Sequence, residues 1–414
     1  MWGSSRAIIS GIFVLGLTVV LAACGGGEDT VVLKGTDTDP SPSEVSLFEA
    51  LLGAIPDTPD TRKSVMINDY AALREILGIP PSGPDARLPA LVEYLYQNLE
   101  RPDMTAMSPG PFISGINQEG GLHPRREYLA FDGRNVDQSV EAGTVRFILE
   151  VVRGRFDPAA TAQALASCSE CPPPDIETHN GVPFYSWGDD GQGKLRDRRN
   201  PPAFDHLGRG GRIAVSSEYV YRTVETPGMK ALIDSKNGDG QTLADVAEFR
   251  LLAQAMSGLG AYTAFFSNQT YKITAATDDT SIFNPLVFTS FPEVFESRLR
   301  VYENLKAEIQ KSTLLLPYLA FSTGAGKDDA GPYMALALVH SDAESAEENG
   351  RRLRKRIAEN GDYPGLQIWN DSLEETTFRV EGRVLSAIMH GEGPTRNWGS
   401  LAFLWMPLPL IPHE

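Results

Sequence analysis

Between residues 47 and 99, apolar side chains recur at spacings of three and four. Leu47, Phe48, Leu51, Leu52 and Ile55 share one helical face, and Pro56 stops the run. Asn68 or Asp69 can cap a second helix carrying Leu73, Ile76 and Leu77, with Gly78 as its end. A third candidate follows Pro89 with Leu91, Val92, Leu95 and Leu99. Proline-rich pieces separate them, so residues 44–110 read as a helical lead-in.

Beyond residue 110 the period changes to two. TVRFILEVVRG (144–154) and YMALALVH (333–340) read as strands. Each lies downstream of a tetrapeptide that occurs twice, Tyr128-Leu129-Ala130-Phe131 and Tyr318-Leu319-Ala320-Phe321, with a polar connection between. A helix start follows each strand. In the first, Asp157 is the N-cap with Pro158 at the first helical position; the second begins at Asp342. Hairpin-like sequence closes each segment, RIAVSSEYVYRTV from Arg212 and TFRVEGRVLSAIM from Thr377. The pattern predicts an α+β fold of two tandem strand-strand-helix-strand-strand units, residues 111–267 and 268–414, read as a duplication.

The helix from Asp342 is legible in detail. Ala343, Ala346, Leu353 and Ile357 make its buried stripe, acidic residues come early and basic residues late, and Asn360-Gly361 ends it. Glu347–Arg351 and Glu348–Arg352 are spaced as i,i+4 pairs, and RRLRKR reads as a solvated helix end. Thr242 and Asp245 form a capping-box-like start for a run through Phe249 and Leu252. An amphipathic candidate at 293–310 bridges the two units.

The N-terminus follows another rule. Ala7 to Ala23 carries no charge, a run somewhat short for a bilayer span, and Arg6 precedes it. A basic start, an apolar core and small residues form a secretory signal peptide, here residues 1–23. Leu21-Ala22-Ala23-Cys24 resembles the lipobox of bacterial lipoproteins at all four positions. That resemblance implies diacylglycerol on the Cys24 thiol, cleavage before it, a palmitate-type anchor and an extracytoplasmic address on the inner or outer membrane. Residues 24–43, rich in Gly, Thr, Asp, Pro and Ser, read as a flexible tether with an r.m.s. reach of roughly 25 Å. The body is similar to extracytoplasmic lipoproteins only diffusely, and that similarity implies no activity.

Charge narrows the partners. The chain has 37 basic and 54 acidic residues, a net charge of −17, and removing Arg6 with the signal peptide leaves −18. Nucleic acid and anionic lipid headgroups reward the opposite balance. Attachment then falls to acyl chains, at about 0.8 kcal/mol per buried CH₂.

Motifs with chemical overtones lose to blander readings. Cys168 and Cys171, in CSEC, follow a helix rather than starting one, which is the wrong polarity for a redox pair. In an oxidising compartment a local disulfide is the expectation. Asp175, Glu177 and His179 alternate, yet read as an exposed polar stretch rather than metal ligands. SKNGDGQTLADV, from Ser235, lacks the first and twelfth ligands of a calcium loop and reads as a glycine-rich turn between helices. GAGK at 324–327 lacks the first glycine and the hydroxyl of a phosphate loop. Residues 183–211 read as a long loop, where Tyr185, Trp187, Arg196, Arg198 and Arg199 form a candidate recognition surface for an envelope protein or glycan.

No cofactor, metal or catalytic set emerges. The sequence therefore predicts a noncatalytic binding or scaffolding lipoprotein of the cell envelope. The alternatives are a transporter's solute-binding lipoprotein, or an extracytoplasmic hydrolase with a spatially assembled site.

Overall fold

The computed structural model describes residues 45–78, 129–131, 135–144, 147–168, 173–190, 210–272, 313–358, 373–391 and 410–414. Cys24, Cys171, Arg196, Arg198, Arg199 and the helices expected at 89–99 and 293–310 lie outside them.

Among the described residues, twelve strands pair antiparallel in one sheet. They are β1 (Val65–Asp69), β2 (Val136–Thr144), β3 (Phe147–Gly154), β4 (Asp175–His179), β5 (Val182–Trp187), β6 (Gly211–Val215), β7 (Tyr219–Thr223), β8 (Ala261–Ser267), β9 (Ala320–Asp328), β10 (Gly331–Val339), β11 (Glu375–Glu381) and β12 (Val384–His390). Among the described residues six α-helices accompany them: α1 (Leu47–Leu52), α2 (Tyr70–Leu77), α3 (Pro158–Ser167), α4 (Thr226–Asn237), α5 (Ala247–Gly258) and α6 (Ala343–Ala358). The fold is mixed α and β, and both expected units contribute to a single sheet.

The strand order is β11-β12-β10-β9-β8-β1-β2-β3-β7-β6-β5-β4. At its centre β1 pairs with β8, from Val65 opposite Phe266 to Asn68 opposite Thr263. Outward from this seam one side runs β9, β10, β12, β11 and the other β2, β3, β7, β6. The hairpin β4–β5, which lies between α3 and β6 in sequence, extends the second side.

Opposed residues in a pleated sheet share a face. On one face Val65, Ile67, Val140, Leu149, Val151 and Phe266 pack under α1, α4 and α5 through Leu52, Leu232, Leu252 and Met256. The other face carries two separate cores. Leu336, Leu338, Leu385 and Met389 meet Leu353 of α6 and Leu410 and Ile411. Val152, Ile213, Val220 and Trp187 meet Tyr70, Phe131 and Leu165.

Local chemistry sets the helix ends largely as the sequence implies. Asp157 Oδ1 accepts from the N–H groups of Ala159 at 2.9 Å and Ala160 at 3.1 Å. Asp342 Oδ1 accepts from Ser345 N at 2.7 Å. Asp245 Oδ2 accepts from Thr242 N at 2.8 Å, but this box opens a short 3₁₀ turn, Leu243–Asp245, ahead of α5. The segment from Ser235 is the turn between helices: Gly238 takes φ 79° and Gly240 φ 106°.

Several expectations need correction. The lead-in contains β1 as well as helices, and β1 is one of the two central strands. The first polar connection is strand β2, which is central too, with Ser139 meeting Asn68 of β1 and Asp137 meeting Arg74 of α2. The two YLAF copies are not equivalent: the second leads into β9, whereas in the first Ala130 sits at φ 61°, outside any strand. GAGK lies within β9. Residues 183–187 belong to strand β5 rather than a loop.

In α6, Ala343 is exposed while Asn349 and Arg356 are buried. Asn349 Nδ2 donates to Leu316 O at 3.0 Å and lies 2.8 Å from His340 Nε2. Arg356 Nη1 donates to Pro412 O at 3.2 Å, so this part of RRLRKR docks the C-terminal segment instead of facing water. Arg352 pairs with Glu348 as expected, at 2.8 Å, whereas Arg351 chooses Glu348 at 2.5 Å over Glu347.

The small residues of β9 follow from close packing. A Cβ at Gly326 would collide with the Tyr333 ring, which is buried and whose hydroxyl donates to Leu259 O. Gly326→Ala is expected to cost about 1–3 kcal/mol of unfolding free energy by overpacking, measured by urea denaturation. Tyr333→Leu in the same chain should return part of that loss.

Candidate functional site

Two polar features stand out, the first on the face that carries the divided cores. The first is a row across three strands between those cores. Glu141 of β2 stands opposite Glu150 of β3, and Glu150 opposite Arg222 of β7. Arg222 Nη1 donates to Glu150 Oε2 at 3.0 Å, and both side chains are buried. Glu141 Oε2 is shut off from solvent and has no hydrogen-bond partner among the described residues. Burial, reinforced by the Glu150 charge and only partly offset by Arg222, pushes the Glu141 carboxyl up to about 8. At neutral pH it holds a proton. Beside the row, Thr263 Oγ1 donates to Asn68 Oδ1 at 2.8 Å and Asn68 Nδ2 reaches Ser139 Oγ at 3.4 Å.

The second feature is an open cleft of about 780 Å³ at the ends of β2 and β3. Its described walls are Ala71, Arg74 and Glu75 of α2, Asp137 and Gln138 of β2, Arg153 to Arg155, and Ser217 and Glu218 of the β6–β7 turn. The local fold places each wall. Asp69 Oδ1 caps α2 by accepting from Ala72 N at 3.1 Å, and Gly78 ends the helix in the left-handed conformation. Arg74 then points back to the strand, donating to Val136 O at 2.8 Å and to Asp137 Oδ1 at 2.5 Å. The β6–β7 turn is tied down by Gly154 N to Glu218 O at 2.9 Å and Phe156 N to Ser217 O at 3.0 Å. Gly154 is needed there because a Cβ would strike Asn135 O.

The cleft's charges are unevenly committed. Asp137 Oδ1 binds Arg74 closely and lies 3.7 Å from Arg155 Nη2. Arg153, Glu75 and Glu218 are exposed, and among the described residues they make no ion pair. Three guanidiniums and three carboxylates thus surround polar space in a chain whose net charge is −17. Such a lining can bind polar ligands through charge and hydrogen bonds.

Histidines supply a third, smaller group. His390 Nε2 lies 3.0 Å from Asp328 Oδ1, and its buried Nδ1 has no hydrogen-bond partner. Although burial acts upward on Asp328, hydrogen bonding and the His390 charge hold its carboxyl below the usual range. The neighbouring Tyr333 phenol is pushed up to about 12 by burial. No nucleophile stands with this pair among the described residues.

The residues singled out by sequence disperse. Tyr185 and Trp187 lie on β5 with ring centroids 6.4 Å apart, and Trp187 is buried in the core with Ile213 and Val220. Asp175 and Glu177 share β4 with His179, whose Nε2 lies 2.7 Å from Asp234 Oδ1 of α4 and so docks the hairpin. Cys168 ends α3 and is disulfide-bonded; Cys171 lies outside the described residues. Among the described residues, no three His, Cys, Asp or Glu side chains are grouped to hold a metal, and no helix is long and apolar enough to cross a membrane.

Sequence reading missed Glu141, Glu150 and Arg222. A usable sign was there: FILEVV and YVYRT each set one charge inside an otherwise apolar strand.

No protein-family model and no curated protein matches the chain. Among solved structures, crystal form III of TP0453 aligns with a TM-score of 0.37 and 9% identity, covering 84% of this chain and 98% of that one. Crystal form I of TP0453 gives 0.36 and 10%, covering 86% and 98%. Both likenesses are too remote to carry fold or function across.

Proposed function

We propose that this chain is an extracytoplasmic lipoprotein, anchored through acylated Cys24, that binds a polar envelope component in the cleft at the ends of β2 and β3. The single observation that carries the binding reading is the cleft itself, with its exposed and uncommitted charges. A disulfide between Cys168 and Cys171 belongs to the same reading, as does an envelope protein or glycan at the 183–211 segment. The matching strand order on either side of the β1–β8 seam supports a tandem duplication. The repeat would then run α-β-β-β-α-β-β, with β1 and β8 as equivalent strands and with α2, β4–β5 and α4 outside it.

The test has two parts. Cys24→Ser should move the full-length protein from the membrane to the soluble fraction, and mass spectrometry should find acyl chains on wild-type Cys24. Ser217→Trp, at an exposed turn residue, should fill the cleft and abolish capture of the envelope component by the detergent-solubilised protein. Undiminished capture by that variant would remove the cleft from the function.

A further inference from the structure

We infer that the cleft between α2 and the ends of β2 and β3 takes a short peptide with free charged termini, its carboxylate at Arg153 and Arg155 and its ammonium at Glu75 and Glu218. This inference rests on the reading of the cleft as the binding site. Four arguments lead to it.

Arg74 is not available to a ligand: Val136 O and Asp137 hold its guanidinium, and its side chain is only 11% exposed. Asp137 also faces Arg155, which is 57% exposed, at a looser 3.7 Å. That carboxylate can therefore orient Arg155 while leaving donors free. Arg153 also lines the cleft, with no ion pair among the described residues. The cationic part of the cleft is thus two exposed guanidiniums, whose planar donor forks suit a carboxylate.

The anionic part is separate in sequence and fold. Glu75 comes from the last turn of α2 and Glu218 from the β6–β7 turn, and neither has an ion-pair partner among the described residues. A ligand with charges of both signs can satisfy both parts, whereas a simple anion would leave the glutamates uncompensated.

The space and the neutral groups fit amides. About 780 Å³ is far more than a single small ion fills and lies in the range of ordinary ligand sites. Gln138 and Ser217 add an amide and a hydroxyl to the lining, both able to pair with peptide N–H and C=O groups.

The field of the whole chain agrees. A body of net charge −17 repels anionic ligands at long range, but a zwitterion has no net charge to repel.

The experiment is calorimetric titration of full-length, detergent-solubilised protein with tetra-alanine bearing free termini. Its C-terminal amide, its N-acetyl form and phosphocholine are the comparison ligands. Each rim charge pair is exposed, so blocking one terminus should weaken binding about twofold to fivefold. Arg153→Gln with Arg155→Gln should reproduce the effect of amidation and leave the melting temperature unchanged. Glu75→Gln with Glu218→Gln should reproduce that of acetylation. Tetra-alanine that does not bind, or binds as tightly with both termini blocked, would overturn the inference. So would phosphocholine binding as tightly as the peptide, which would point to a headgroup. The blocked-terminus arms need no variant to fold. If Ser217→Trp abolishes capture while tetra-alanine fails, the cleft keeps its role and the ligand class is wrong. If capture survives Ser217→Trp, the cleft reading itself falls.

Discussion

Replacing Arg222 with methionine should lower the unfolding free energy by about 3–5 kcal/mol at pH 8, the expected loss when one partner of a buried ion pair is removed. Arg222 donates to Glu150 at 3.0 Å, and both side chains are buried. Without the guanidinium, the Glu150 carboxylate faces Glu141 across the β2–β3 pairing with less positive charge nearby. Those carboxyls can relieve the strain by taking up protons, which is easier in acid. The loss should therefore be smaller at pH 5 than at pH 8. A second change, Glu150→Gln, should recover much of it, because the amide removes the charge that Arg222 balances. The double-mutant cycle then isolates the pair. Urea denaturation of wild type, both single variants and the double variant measures all four corners. A cost below about 1 kcal/mol for Arg222→Met would show that the row is solvated and contributes little.

This row also explains what the sequence could and could not disclose. Strands β10 and β12 were legible because YMALALVH and VLSAIMH are apolar on both faces. The start of α6 was legible from Asp342 and the order of its charges, and that of α3 from Asp157-Pro158. In β2, by contrast, VDQSVEAGT reads as a connection because its polar side chains lie against other elements. Asp137 meets Arg74, Ser139 meets Asn68, and Glu141 faces Glu150. The first two partners lie 63 and 71 residues away and leave no local trace. The same holds for β1, whose VMIND is too short and mixed to reveal a central strand, and for β9, whose glycines answer to Tyr333 and Thr263. The cleft was invisible for the same reason: its walls come from α2, β2, β3 and a turn near residue 217, brought together only by the sheet. The YLAF tetrapeptide misleads, since its first copy supplies Leu129 and Phe131 to a core without forming a strand while its second leads into β9.

Stability should fall as pH rises from about 5 to about 9, and Glu141 should account for a distinct share of that fall. The folded chain keeps the Glu141 proton to about pH 8, whereas the unfolded carboxyl releases it near 4.5. Folding therefore takes up a proton between those values, and the stabilisation from Glu141 is complete below pH 4.5 and lost as pH passes 8. The displacement corresponds to something on the order of 5 kcal/mol across the window. Other groups oppose it. Burial holds the His340 and His413 imidazoles below their ordinary value, so the unfolded chain protonates them first and they favour folding as pH rises. Asp245, Asp328, Asp342 and Glu348 are held below the usual carboxylate range, and their contributions are lost only in stronger acid. The Glu141 share is therefore read as a difference. Glu141→Gln keeps the shape, removes the titration and leaves the histidines in place. Its unfolding free energy should run closer to flat from pH 5 to pH 9, and by pH 9 it should exceed that of the wild type. Two profiles that stay parallel across that window would mean that Glu141 ionises in the folded chain as it does in water, and that the carboxylate row is open to solvent.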